Sequence, residues 1–150
     1  MLAGEDVEGL RLVREPVGVP IAADEAVTTV AAAQRITDCE AADVLVVKPM
    51  LVGGMTPARR IIELAERAGS GALVTTTIDG GVGIAAALHL AATLGDNPLA
   101  CGLATAGMLE STLVSGLPPA TDGTMIVPSA PGLGIALDHS QLQRWQHGDG

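Results

Sequence analysis

Residues 44–54 read Val44-Leu45-Val46-Val47-Lys48-Pro49-Met50-Leu51-Val52-Gly53-Gly54. The first four are apolar and mostly β-branched, a run too short for a helix, and this predicts a strand buried on both faces of a parallel sheet. Pro49 has no amide to give a ladder and stops the strand. Gly53 and Gly54 allow a close backbone approach to a ligand, or a turn into the next element. Lys48 therefore stands at the carboxyl end of a buried strand, where parallel α/β folds keep their chemistry. A lysine held there can move a proton or steady a developing anion. The other reading is a buried stem whose ammonium reaches out to solvent.

Working outward, similar runs occur at Val19 to Ala23, Leu73 to Thr77 and Leu99 to Leu103. The spacing of roughly 25 residues fits one strand and one helix per unit. Helical spacing fills the gaps at Val27 to Thr37, Thr56 to Ala68 and Val82 to Leu94. An opening helix is expected over Glu5 to Arg14, its acidic first turn suiting the positive end of the helix dipole. About four βα units of parallel sheet follow, either an open doubly wound sheet or a sector of a closed barrel. After Thr105 the chain becomes rich in Gly and Pro. A turn is predicted at Asp122-Gly123, a short strand at Thr124 to Val127, and a loosely ordered polar tail from His139.

Composition narrows the function. The chain has one Trp, no Phe and no Tyr, a net charge of −9 and only eight Lys and Arg together. It lacks both the stacking platforms and the cations that nucleic acids require. The most apolar stretch, Gly80 to Gly95, falls short of the roughly 20 residues needed to cross a bilayer, and reads as a buried core helix around a packed His89. No basic and apolar leader opens the sequence, so a cytoplasmic location is expected. Cys39 and Cys101 lack CxxC spacing and are expected to be buried free thiols. His139 and His147 belong to no discernible constellation. Nucleophile-elbow, P-loop and zincin motifs are absent from the sequence.

Three further stretches carry polar groups at predicted strand ends. Asp24 and Glu25 close Pro20-Ile21-Ala22-Ala23, where hard oxygens suit Mg²⁺; capping of the following helix would explain them equally well. Thr75-Thr76-Thr77 ends the third strand with hydroxyls and amides able to hold a carboxylate, although threonine is also an ordinary strand former. The turn Gly81-x-Gly83-x-x-Ala86 loosely matches a dinucleotide fingerprint, without the acidic residue about 20 positions on that would hold a ribose.

With these residues in place, the chain resembles the C-terminal part of the barrel domain of the enolase superfamily, muconate-lactonizing subgroup. Pro20 to Glu25 resembles the fifth barrel strand, whose Asp is a Mg²⁺ ligand. Val46-Val47-Lys48-Pro49 with Gly53-Gly54 resembles the sixth strand and its catalytic lysine, and Thr75 to Asp79 the seventh. Ala100 to Thr105 is similar to the eighth-strand region of o-succinylbenzoate synthases, and Pro131-Gly132-Leu133-Gly134 to their closing segment. The absence of an acid-x-acid motif there favours the synthases over the epimerases.

The resemblance implies the C-terminal half of a (β/α) barrel over residues 1–138 and a flexible polar tail over 139–150. It implies a Mg²⁺-dependent lyase that dehydrates a cyclohexadiene carboxylate in menaquinone biosynthesis. Lys48 would be catalytic, Asp24 and Glu25 would serve the metal, and Thr76, Thr77, Asp79 and Gly102 would bind substrate. The family's capping domain, K-x-K motif and two further metal-binding acids correspond to sequence before Met1, so the general base is not encoded here. The isolated chain is expected to be inactive. So is association, either with a separate N-terminal half-barrel or with a second copy, because unpaired edges of an apolar sheet invite pairing.

Overall fold

The computed structural model describes residues 6–95 and 98–146; His147 and the extreme N-terminus, including the predicted helix start at Glu5, lie outside them. The elements run α1 (Val7–Arg14), β1 (Ala22–Ala23), α2 (Val30–Asp38), β2 (Val44–Val47), α3 (Met55–Ala68), β3 (Gly71–Val74), α4 (Gly81–Ala91), β4 (Val114–Ser115), β5 (Ala136–Leu137) and α5 (His139–Trp145). The first three strands form one parallel sheet in the order β1-β2-β3. The last two form a separate antiparallel pair with Val114 opposite Leu137.

Alternation on β2 places Leu45 and Val47 fully out of solvent, with Val74 of β3 beside Val47 in register. Against them pack Ala33 and Ile36 of α2, Ile61 and Ile62 of α3, and Ala87 and Leu88 of α4. Removing each of the larger side chains from water contributes about 1.5–3 kcal/mol. The helices start and stop where local chemistry allows. The Thr29 hydroxyl accepts the Ala32 amide at 3.0 Å to begin α2, and Gly69 takes the left-handed conformation, φ 72°, that ends α3.

The amino end of the sheet is fastened by one acid. Asp43 Oδ1 accepts from Arg14 Nε at 2.9 Å, Asp43 Oδ2 accepts the Ile21 amide at 2.8 Å, and Arg14 Nη1 donates to the Glu40 carbonyl at 2.8 Å. The Arg14 guanidinium, and after it the Ile21 amide, hold the Asp43 carboxyl below its ordinary value.

Several predicted elements come out shorter. The first strand is Ala22–Ala23 only, because Ile21 spends its carbonyl on both Asp43 and Val44 and its amide on the Asp43 side chain. Leu99 to Leu103 is no strand. Thr75 and Gly102 make a single parallel bridge, and the Cys101 sulfur rather than a backbone carbonyl receives the Val74 amide, at 3.4 Å. The sheet thus has three strands and a fourth segment joined at one point. Thr121 and Thr124 bond each other around the expected turn at Asp122 and Gly123, but no strand follows over 124–127. The polar tail opens with a helix, α5, since Asp138 caps it by accepting the Ser140 and Gln141 amides. Cys39 is exposed rather than buried, and both cysteines are free.

Candidate active site

Two strand ends meet at the carboxyl rim. Asp24 follows β1 directly and Lys48 follows β2, and the Lys48 ammonium forms an ion pair with Asp24 Oδ1. The Lys48 side chain is only 15% exposed, so it does not run out to solvent. The ion pair lacks hydrogen-bond alignment: Asp24 Oδ1 is buried and has no hydrogen-bond partner among the described residues. Nor does Asp24 cap a helix, for α2 begins later, on Thr29. Its backbone carbonyl closes a turn to the Val27 amide at 3.0 Å instead. Glu25, next along, is exposed.

A buried carboxylate oxygen without an aligned donor suits a hard cation. Among the described residues no group of three or more His, Cys, Asp or Glu comes together to complete a cage. Asp24 therefore offers an oxygen that fits a divalent ion, without a full ligand set beside it among the described residues.

Around Lys48 the backbone makes a firm turn. The Leu51 and Val52 amides return to the Lys48 carbonyl, and Gly54 donates to Pro49 at 2.7 Å before α3 begins. Gly53 and Gly54, at φ 95° and 112°, provide this reversal.

The substrate-binding candidates divide into two groups. Thr76 and Gly102 belong to the junction between β3 and the fourth segment: the Thr76 amide donates to the Gly102 carbonyl at 3.1 Å, and Gly102 donates to Val74 at 3.0 Å. The buried Thr76 hydroxyl shares a hydrogen with that of Thr105 at 2.8 Å. Thr105 closes the stretch that resembles the eighth-strand region, but nothing in the sequence singles it out as a partner of Thr76. Thr77 and Asp79 form the second group and turn toward each other. Asp79 is 3% exposed and accepts the Thr77 hydroxyl at 2.5 Å and its amide at 3.1 Å. Between them Ile78 sits at φ 64°, a conformation rarely taken by a β-branched residue.

Beside this second group lies an apolar cavity of about 530 Å³ lined by Met50, Asp79, Gly81, Val114, Leu137 and Leu142. The Gly81 amide is spent on the Thr112 carbonyl at 2.9 Å, so the glycine turn is packed under the C-terminal segment. It is not laid open as a dinucleotide cradle. His89 is half-buried, with Nε2 3.3 Å from the Leu133 carbonyl. Trp145 carries the Arg144 guanidinium over its ring and is far in sequence from the strand ends. Among the described residues no helix is long and apolar enough to cross a membrane.

Comparison with known proteins bears on the family and the fold. Residues 1–141 match the model of the enolase C-terminal domain-like family. An o-succinylbenzoate synthase of Thermobifida fusca is 44% identical over 105 residues, covering 70% of this chain and 32% of the relative. The L-Ala-D/L-Glu epimerase of Bacillus subtilis is 33% identical over 138 residues, covering 87% of this chain and 36% of the relative. Among solved structures, the muconate lactonizing enzyme from Pseudomonas putida superposes with a TM-score of 0.89 at 28% identity, covering 95% of this chain and 40% of that one. The chain spans about a third of the length of the curated relatives it matches.

Proposed function

Because this chain belongs to the enolase C-terminal domain-like family, we propose that it supplies the Lys48 side of an active site for proton chemistry beside a carboxylate. The reaction we assign is that of an o-succinylbenzoate synthase-like lyase, dehydrating a cyclohexadiene carboxylate on the way to menaquinone. The observation that carries it is the ion pair of Lys48 and Asp24 across two neighbouring strand ends. An ammonium held at that rim faces the negative charge that grows on a carboxylate when its α-proton leaves. Asp24, with Glu25 beside it, would hold Mg²⁺, which when bound supplies further positive charge for the same anion. Thr76, Thr77 and Gly102 offer hydroxyl and amide groups to substrate carboxylates. Asp79 acts in this reading through the Thr77 hydroxyl that it holds.

A muconate cycloisomerase, an N-acylamino acid racemase or a dipeptide epimerase would use the same frame. The synthase is favoured by the 44% identity to one such enzyme. The proposal places the reaction in a small-molecule enzyme of the cytoplasm. It also requires a partner surface, an N-terminal half-barrel or a second copy, because Asp24, already paired with Lys48, holds Mg²⁺ poorly alone and the sequence has no second lysine to remove the proton.

The test is turnover of the cyclohexadiene carboxylate with Mg²⁺. Residues 1–150 alone are expected to give none. Added N-terminal half-barrel polypeptide of a synthase is expected to restore it, and Lys48→Ala to abolish the restored activity. Unaided turnover, or restored turnover that survives Lys48→Ala, would sink the assignment.

A further inference from the structure

One oxygen at the rim is placed to serve two cations. The Asp24 side chain is 39% exposed, yet its Oδ1 is buried and receives no hydrogen bond among the described residues. The exposure of Asp24 therefore lies on its other atoms. The Lys48 ammonium is paired with that enclosed Oδ1, and Lys48 is the single lysine of the chain.

An enclosed carboxylate oxygen has given up its water and gains most from a cation set directly on it. An ammonium answers with hydrogens, and here none is aligned. A divalent ion such as Mg²⁺ bonds oxygen at about 2.0–2.1 Å and needs no hydrogen to do so. The two cannot share one oxygen, because a single and a double positive charge at that separation repel strongly.

Neither main chain is free to draw the pair apart. The Lys48 carbonyl accepts the Leu51 and Val52 amides at 3.0 and 3.1 Å, and the Asp24 carbonyl accepts the Val27 amide at 3.0 Å. Just before them, Ala23 is paired with Leu45 in the sheet, and Val47 with Val74. What can move is the lysine stem, a flexible four-carbon chain with a compact charge at its end.

We infer that Lys48 competes with a divalent cation for Asp24 Oδ1, so that arrival of the ion at that oxygen releases the ammonium from its pair. Asp24 then has a second duty besides ligation, which is to hold the lysine until the ion replaces it. The coupling is reciprocal: the pair weakens the ion by the same factor as the ion weakens the pair. The released ammonium is free to face an incoming carboxylate, which sets the order as cation first and anion second. This deepens the proposed function and rests on its role for Asp24 toward Mg²⁺, but not on which reaction follows.

The experiment needs no turnover, so its failure is distinct from failure of the lyase assignment. Mn²⁺ binding to residues 1–150 is measured by calorimetry. Lys48→Met, which keeps the stem and removes the charge, should bind about fivefold more tightly, the upper worth of a partly open ion pair. Adding Asp24→Asn to that variant should remove the gain. In the unaltered chain labelled with ¹³C at lysine Cε, Mg²⁺ should move the single side-chain signal toward its position in Asp24→Asn. Equal or weaker uptake of Mn²⁺ by Lys48→Met, undetectable uptake included, would overturn the inference. So would a gain that survives Asp24→Asn. A lysine signal that Mg²⁺ leaves in place would also overturn it, since the two cations would then feel each other only at a distance, with the pair intact.

Discussion

Gly81 and Val114 meet so closely that a Cβ on Gly81 would lie 2.1 Å from Val114 Cγ2. The first residue of α4 is thereby locked under β4, and the Gly81 amide bonds the Thr112 carbonyl from the same side. The Thr112 carbonyl stands 2.9 Å from the same point, so turning the Val114 methyl aside would not by itself free the space. Gly81→Ala should destabilise the fold by about 1–3 kcal/mol through overpacking. Urea unfolding would read this as a lower midpoint at unchanged slope, whereas Gly107→Ala, with nothing within 4 Å, should lack that overpacking penalty.

The Arg14–Asp43 fastening should make stability depend on acid. Asp43 is held below its ordinary 3.8 by the guanidinium and the Ile21 amide, so it is charged in the folded state where the unfolded chain has begun to take up a proton. A depressed carboxyl contributes stability that is complete above the unfolded value and is lost as pH falls through the folded one. The melting temperature should therefore decline below pH 3.8. Asp43→Asn should start lower at neutral pH and lose less on acidification. Parallel curves for the two proteins would contradict this.

The C-terminal helix depends on one cap. Asp138 accepts the Ser140 and Gln141 amides at 3.0 and 3.1 Å, and the Ser140 hydroxyl at 2.6 Å. In seven residues the other holds on α5 are the exposed Arg144–Glu110 ion pair, worth little, and Leu142 at the apolar cavity. Asp138→Ala should cost about 1 kcal/mol locally and speed exchange of the Leu142 amide roughly fivefold, leaving the amides of β2 protected. Thr29→Ala, which removes the α2 cap, should act on the whole fold, because α2 carries the core residues Ala33 and Ile36. Global protection falling equally in both variants would show that α5 is part of the same cooperative unit.

Removing the charge from Asp24 should leave the Lys48 ammonium without a counterion at the rim. Because the pair is partly open to solvent, Asp24 at 39% and Lys48 at 15%, the cost of Asp24→Asn should be modest, about 1 kcal/mol. The same substitution should abolish whatever affinity for Mn²⁺ or Mg²⁺ the chain shows by calorimetry. Retained affinity would remove Asp24 from the proposed ligands.

These residues also show what the sequence could convey. Lys48 is legible because a strand that ends in Pro49 announces its own boundary, and β2 runs over Val44–Val47 as its apolar run predicts. The four long helices begin or end within a few residues of their expected bounds, since periodicity and breakers are local properties. Leu99 to Leu103 is different. A strand is defined by partners as much as by its own side chains, and with one bridge at Gly102 the apolar run has no ladder to join. The same holds for Val19, exposed outside the short β1. Which of Thr75, Thr76 and Thr77 faces Lys48 is set by register between strands 27 residues apart, as Val47 and Val74 show, and no single window of sequence contains it. The helix at His139 was hidden because its stability comes from Asp138 outside the run, not from an apolar face.

The Asp43 clasp and the Lys48 ion pair lie at opposite ends of the same β2 strand. That separation divides inheritance into two accounts: mutations at one end can be tried for new reactions while the other end keeps the chain folded. A lineage built this way can explore chemistry without first having to become more robust, and laboratory libraries confined to the residues after Ala23, Val47 and Val74 should yield a high share of foldable variants.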